Sequence, residues 1–450
     1  MVQQPGKQHG REALVIGASM GGLLAARVLS AHFERVTVFE RDEVADRPES
    51  RKGQPQTRHL HTLLAQGLHV FQRFFPTLRD DLVAGGAIEG DMGADIRWHA
   101  FGGYRRQFES GMIGIMMTRP FLEHCVRRCV MAIPNVTIRG GCEVEQLMTT
   151  PDRQRVTGLQ VKHGARSADA ASEVIPADFV VDTSGRGSAT PRWLEALGYE
   201  KPAESAVTVN MGYSTRTFRR KPGELEGARL ILINPDFPAT RRAGNVMPVE
   251  GDRWMVTLVG WGKDYPPADG EGFLEFTRSL PAPDLYNLIR QTEPLTDVIQ
   301  HRLPSNLRRH YERLTRFPER HLVLGDAISS FNPVYAQGMT SAAMQAAALE
   351  ETLEHSANGL DGLSRQYFPK VAKVVDRAWQ LAVGEDFRAP DTTGPKPPAL
   401  GLVNAYVTRV HRATHSDTEV YRAFLDVMNL VEPASVLMRP GMVWRVMRAR

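Results

Sequence analysis

Cysteine is scarce in this chain. Cys125, Cys129 and Cys142 are the only three in 450 residues, too few for a disulfide framework. Cys125 and Cys129 stand four apart and share a helix face. No His or Cys partner set has metal-site spacing, so small buried side chains are expected there. No run of about 18 apolar residues occurs, and none spans a membrane by expectation. The first ten residues, MVQQPGKQHG, lack the apolar stretch of a signal peptide, which points to a cytoplasmic location. An excess of one charge is also missing: 55 Lys and Arg face 51 Asp and Glu, a net charge of +4. That balance gives no argument for nucleic acid and only weak attraction to anionic cofactors. There is no internal repeat.

What remains is ordinary globular material, 42% hydrophobic and 24% charged, long enough for two domains. Ala13–Ile16 reads as a buried strand, Gly17–Gly22 as a turn, Leu23–His32 as a helix and Val36–Glu40 as a second strand. Such a βαβ unit needs about 30 residues. A polar loop at 46–60 leads to a helix over 62–75, short strands over 86–117 and a helix over 120–131. Strands are expected at 136–146, 156–162 and 179–182, with a surface turn and return strand over 163–175. Between 205 and 262 short apolar runs alternate with turns, which predicts an antiparallel sheet. Residues 272–290 read as helix broken at Pro281–Pro283, 321–326 as a strand entering a turn, and 338–355 as an Ala-rich helix. Pro390, Pro395, Pro397 and Pro398 mark a linker before a helical tail.

Two motifs carry chemistry. Gly17-Ala-Ser19-Met20-Gly21-Gly22 sits between strand and helix, where a dinucleotide-binding turn would lie, with Ser19 in place of the usual middle glycine. The helix start offers unpaired N–H groups and a partial positive charge to a diphosphate. Glu40 closes the next strand, where an acid meets ribose hydroxyls. The second motif is His321-Leu-Val-Leu-Gly325-Asp326, followed by Asn332-Pro333, Gln337-Gly338-Met339 and a long helix. It brings a carboxylate and a helix N-terminus together, as a ribityl chain and an electron-accepting ring would require.

In this order, with Glu40-Arg41 and a mid-chain Asp-x-Ser-Gly, the motifs resemble group A FAD-dependent monooxygenases of the p-hydroxybenzoate hydroxylase type, over roughly residues 12–385. The segments Arg51-Lys52-Gly53-Gln54-Pro55-Gln56-x-Arg58-His59-x-His61 and Phe331–Met339 are most similar to bacterial polyether epoxidases and more distantly to squalene epoxidase. The resemblance implies an α/β fold: a glutathione-reductase-type FAD domain (11–85, 118–190 and 312–388) interleaved with an antiparallel-sheet substrate domain (86–117 and 191–311), and a helical C-terminal segment (389–450). It implies FAD contacts from Gly17, Ser19, Met20, Gly21, Gly22, Glu40, Arg41, Arg58, Arg119, Asp326, Pro333, Gly338 and Met339. NAD(P)H would be the electron donor, and one atom of O2 would pass through a flavin C4a-hydroperoxide to an apolar substrate. Epoxidation of an alkene or hydroxylation of an aromatic ring, in secondary metabolism, are both compatible.

The chain departs from the family mid-way, where Asp182-Thr-Ser184-Gly-Arg186-Gly-Ser188 replaces the usual Asp-Gly-x-x-Ser. That segment links FAD and NAD(P)H binding in the family, so a separate flavin reductase is an alternative electron source. Met211, Trp254, Trp261 and Phe331 are the expected substrate-pocket residues, amid few polar anchors. An isoprenoid double-bond reductase, a flavin-dependent halogenase and a non-catalytic flavoprotein are the rival readings. Trp254 and Trp261 lie outside any Trp-x-Trp-x-Ile-Pro motif, which weighs against the halogenase. Apolar faces over 402–411 and 420–431, with Arg445, Arg448 and Arg450, are expected to pack over the substrate opening, with weak membrane association at most.

Overall fold

The computed structural model describes residues 7–164 and 171–449. The opening Ala13–Ile16 run is fully buried inside the strand Gly10–Ile16. It forms the centre of a five-stranded parallel sheet, ordered 321–323, 179–182, 10–16, 33–39 and 136–139. Continuous apolar strands such as Phe179–Asp182 suit a sheet covered on both faces. The helix Met20–Leu29 packs on it beside the long helix Gln337–Glu354, whose Ala343 and Ala346 leave room for close approach.

The expected strand 136–146 is two strands. Gly140 and Gly141 break it, Gly141 with φ +67°, a conformation cheap only for glycine. Val136–Arg139 stays in the parallel sheet, while Cys142–Thr149 joins a separate three-stranded sheet with Val156–His163 and Ser172–Pro176. Part of the expected turn at 163–175 lies outside the described residues, as do residues 1–6 and Arg450.

The second large sheet has eight strands, in the order 329–330, 299–309, 204–219, 253–260, 242–249, 230–233, 96–100 and 103–104. It is antiparallel as expected except where Leu230–Ile233 runs parallel to Ile96–Ala100. One face is sealed by the helices Gly270–Arg278 and Asp284–Ile289 around Trp254, Val256 and Leu258. The other face, carrying Tyr213, Asn245, Thr257 and Val259, is left to a cavity. Over it close the end of the helix Leu363–Asp386 and the helices Leu400–Ala413 and Thr418–Met428.

Candidate active site

The N-terminal turn has the geometry a diphosphate needs. Gly17 has φ +97°, and a Cβ on Gly22 would stand 1.8 Å from the Gly17 carbonyl oxygen, so only glycine fits there. Thr183 locks the turn, its hydroxyl donating to the carbonyls of Ile16 (2.7 Å) and Gly17 (3.1 Å). Met20 is buried beneath the helix start, and Ser19 is half-buried at the N-cap with no side-chain cap bond. The first N–H groups of the helix are thus not taken up by a capping side chain.

Glu40 is buried at the end of the second strand. Its carboxylate accepts from the N–H of Ala18 (2.9 Å) and of Asp42 (3.1 Å), and Arg51 pairs with it at 2.8 Å. Arg51 also bonds the Ala18 carbonyl at 3.0 Å and pairs with Glu123. Glu123 receives Arg119 at 2.8 Å, and Arg119 reaches the Ser19 hydroxyl at 3.3 Å. Burial alone would raise the Glu123 pKa; Arg119 and Arg51 overcome it and hold the carboxyl below its usual range. Sequence reasoning missed Arg51 and Glu123, although Arg51 opens the basic loop that drew attention. Within that loop Arg58 points to solvent, as does Arg41 after the second strand; the arginine of the loop that reaches the turn is Arg51. A buried guanidinium needs paired acceptors, and Arg51 has three where Arg58 has none among the described residues.

The late motif meets the first one: a Cβ on Gly325 would stand 4.0 Å from the Gly21 Cα. Asp326 opens onto the groove between them, and no hydrogen bond from the described residues engages it. Protein crowds the carboxyl on its other sides, and this burial pushes its pKa up to about 6 against the pull of Arg119 and Arg186. A Cβ on Gly338 would approach Asp326 Oδ1 to 3.9 Å, at the N-terminus of the helix Gln337–Glu354. Pro333 starts a short 3-10 turn, Ala336 takes φ +56°, and Met339 packs against the core. The loop is pinned from behind by Asp386, another unforeseen residue. Asp386 accepts from Asn306 (2.6 Å), Asn332 (2.8 Å) and Tyr335 (2.9 Å), and burial raises its pKa to about 6.

A strand-to-helix turn without room for side chains, a buried acid after the second strand and an open aspartate beside a second helix end fit the ribose, diphosphate and ribityl parts of FAD. The FAD binding domain family matches residues 11–382. The chain belongs to this family. FAD is accordingly its cofactor. A Mycobacterium tuberculosis relative, Protein Rv3254, is 33% identical over 388 residues, covering 83% of this chain and 80% of that one. PqsL of Pseudomonas aeruginosa, a probable FAD-dependent monooxygenase, shares the fold at TM-score 0.61 and 18% identity, over 84% of this chain and 97% of PqsL. The flavin-dependent brominase Bmp2 shares it at TM-score 0.67 and 11% identity, over 97% and 98% of the two chains.

Beside the Pro333–Tyr335 turn of this family member lies a cavity of about 720 Å³. Leu230, Leu232, Val259 and Trp261 give it an apolar wall. Of the four expected pocket residues only Trp261 lines it. Trp254 is two-residue-periodic with the helix-covered face, where its indole donates to Glu224 at 2.8 Å. Met211 is buried past the irregularity between Thr208 and Met211, and Phe331 packs in the FAD-side core near Trp379.

The cavity is also more polar than expected. His59, His61, Tyr213, Thr257 and His301 line it. His59 Nδ1 lies 2.7 Å from the Thr215 hydroxyl, which is 2.7 Å from that of Thr257, while Tyr213 and His301 stack at 6.1 Å. Burial, reinforced by His301, lowers the His59 pKa to about 3, and burial with Arg119 lowers His61 to about 4. Both rings are neutral near pH 7. Tyr213 and His301 carry no local sequence signal, since each faces the cavity only through the register of its strand.

Proposed function

We propose that this flavoprotein is an FAD-dependent monooxygenase that inserts one oxygen atom from O2 into a small organic molecule with a largely apolar body, by epoxidation of an alkene or hydroxylation of an aromatic ring, with NAD(P)H as the electron source. The observation that carries the reading is the cavity: it lies between the Pro333–Ala336 turn and the bare face of the antiparallel sheet. Bound FAD supplies electron transfer and activation of O2. The chain's part is to bind, orient and keep water out.

In this reading Gly17–Gly22 and the following helix end hold the diphosphate, Glu40 the ribose, and Asp326 the ribityl hydroxyls. The N-terminus of Gln337–Glu354, beside Asp326, would offer its partial positive charge to the anionic form of a reduced flavin. Arg119 stands close enough to Ser19 to meet the diphosphate. Segments 11–85, 118–190 and 312–388 form the cofactor half, and 86–117 with 191–311 the substrate half. The apolar wall sorts the substrate body, and the neutral His59 and His61 leave the cavity without a buried positive charge on those rings. The test is single turnover: reduce the holoprotein anaerobically, then admit 18O2 with a polyene or a phenol. One 18O per product molecule is expected. Hydrogen peroxide as the sole product with every acceptor, together with anaerobic saturation of isoprenoid double bonds, would replace this reading by a reductase.

A further inference from the structure

The C-terminal cap bears a face that nothing among the described residues covers. Leu402 is 78% exposed and Val403 52%, on the helix Leu400–Ala413; Met438 is 59%, and Trp444 and Met447 are 59% and 56%, on or beside the helix Pro440–Arg448. These elements form one surface. The two helices pack together, Arg409 contacts the Met447 sulfur at 2.9 Å, and Tyr406 donates to the Leu437 carbonyl at 2.6 Å. Isolated exposed apolar residues are common on any protein; five on one cap are not.

The net charge on this surface is positive. The two helices hold no Asp or Glu; Arg409, Arg445 and Arg448 lie among the exposed apolar residues, Arg439 stands at the N-cap of the second helix, and Arg412 sits at the cavity edge. Asp417 neutralises Arg445 at 3.0 Å. Arg448 lies over the Trp444 ring at 4.4 Å, a cation and an amphipathic aromatic side by side, as at a headgroup boundary. Apolar residues flanked by an excess of arginine over carboxylate are complementary to an anionic lipid surface. A protein partner would have to match the same features with an acidic, apolar patch.

We infer that the Leu400–Ala413 and Pro440–Arg448 helices dock the enzyme reversibly on an anionic bilayer surface, with Leu402, Val403, Trp444 and Met447 entering the interface. The other face of Leu400–Ala413 lines the cavity through Asn404, Thr408 and His411. Docking therefore places lipid against a helix that is itself a wall of the substrate chamber, the arrangement that an apolar substrate dissolved in membrane would use.

The experiment is co-sedimentation of the FAD-loaded protein with vesicles of phosphatidylcholine alone or mixed with phosphatidylglycerol. Binding to the mixed vesicles only, weakened by raised salt, is expected. The double variant Arg409→Glu/Arg448→Glu should bind roughly tenfold more weakly or worse, and Leu402→Ser/Trp444→Ser should lose binding while keeping its FAD and its melting temperature. Absence of binding to mixed vesicles overturns the inference. So does concentration-dependent self-association of the free protein that the same substitutions abolish, which would make the face an interface between copies. Vesicle binding is read without turnover, so its failure leaves the oxygen-transfer assay to judge the monooxygenase proposal on its own.

Discussion

At the scale of single residues, the site separates groups by what their burial demands. Asp326 has no hydrogen-bond partner among the described residues and opens onto the groove, so under the proposed FAD placement its loss removes a ligand contact rather than a structural one. Asp326→Ala should weaken FAD binding on the order of ten- to a hundredfold, the worth of a charge-assisted hydrogen bond of about 1.5–3 kcal/mol, with little change in the melting temperature of the FAD-free protein. Arg51 behaves in the opposite way. It is buried between Glu40 and Glu123, and Arg51→Ala takes the counter-charge from buried Glu40 while leaving Glu123 to Arg119, a loss of about 3–5 kcal/mol. Arg58→Ala, seven residues on and exposed, should change neither stability nor FAD retention measurably. Thermal melts and flavin release on the three variants check this ranking; equal losses for Arg51→Ala and Arg58→Ala would refute it.

At the scale of elements, the parts of the site that were legible in the sequence are those built from local rules. A glycine turn between a buried strand and a helix, or Gly-Asp running into a helix, declares itself through spacing and conformational need. The cavity wall did not. Tyr213 and Trp254 lie on strands that pair with each other, yet face opposite ways, and an aromatic residue shows its face only once the strand's register is known. The strand Ile299–Arg309 is at most half-buried over its first seven positions and contains Pro304, so it has no clear strand signal in sequence; it carries His301. The helix Leu363–Asp386 went unread because Pro369 interrupts its pattern, and with it went Asp386, which holds the Asn332–Tyr335 turn from a distance of more than 50 residues in sequence. Asp386→Ala should therefore loosen that turn by leaving three donors unpaired, two of them on buried asparagines, and cost at least ~2 kcal/mol. Asp386→Asn, which keeps an acceptor oxygen, should recover part of the loss. A variant that melts like the parent would remove Asp386 from this role.

At the scale of the whole molecule, the cavity is closed by a buried polar seam between the sheet and the C-terminal helices. Arg105 lies between the rings of Trp98 and Phe424, at 4.2 and 4.3 Å, and donates to His411 Nδ1 at 2.8 Å. His411 Nε2 then faces Glu385 at 3.6 Å. Burial outweighs Glu385 and lowers the His411 pKa to about 4, so three histidines around the cavity, His59, His61 and His411, are neutral in the fold and titrate near 6.5 when unfolded. Between pH 6.5 and about 4 the unfolded chain binds more protons at these groups, and their contribution to stability is lost as pH falls. Asp326 and Asp386, raised from 3.8 to about 6, act with the opposite sign: the fold binds their protons first, and their contribution is lost as pH rises through about 4 to 6. Three histidines oppose two carboxyls, and Asp326 is open to the groove, where solvent screens its share. The balance is a net loss on acidification, and the melting temperature should fall steadily from pH 7 to pH 5. His411→Gln should flatten that fall, since the side chain no longer takes up a proton on unfolding. A profile that is level or rises toward pH 5 would mean that the carboxyls, not the histidines, dominate the acid response of the cavity.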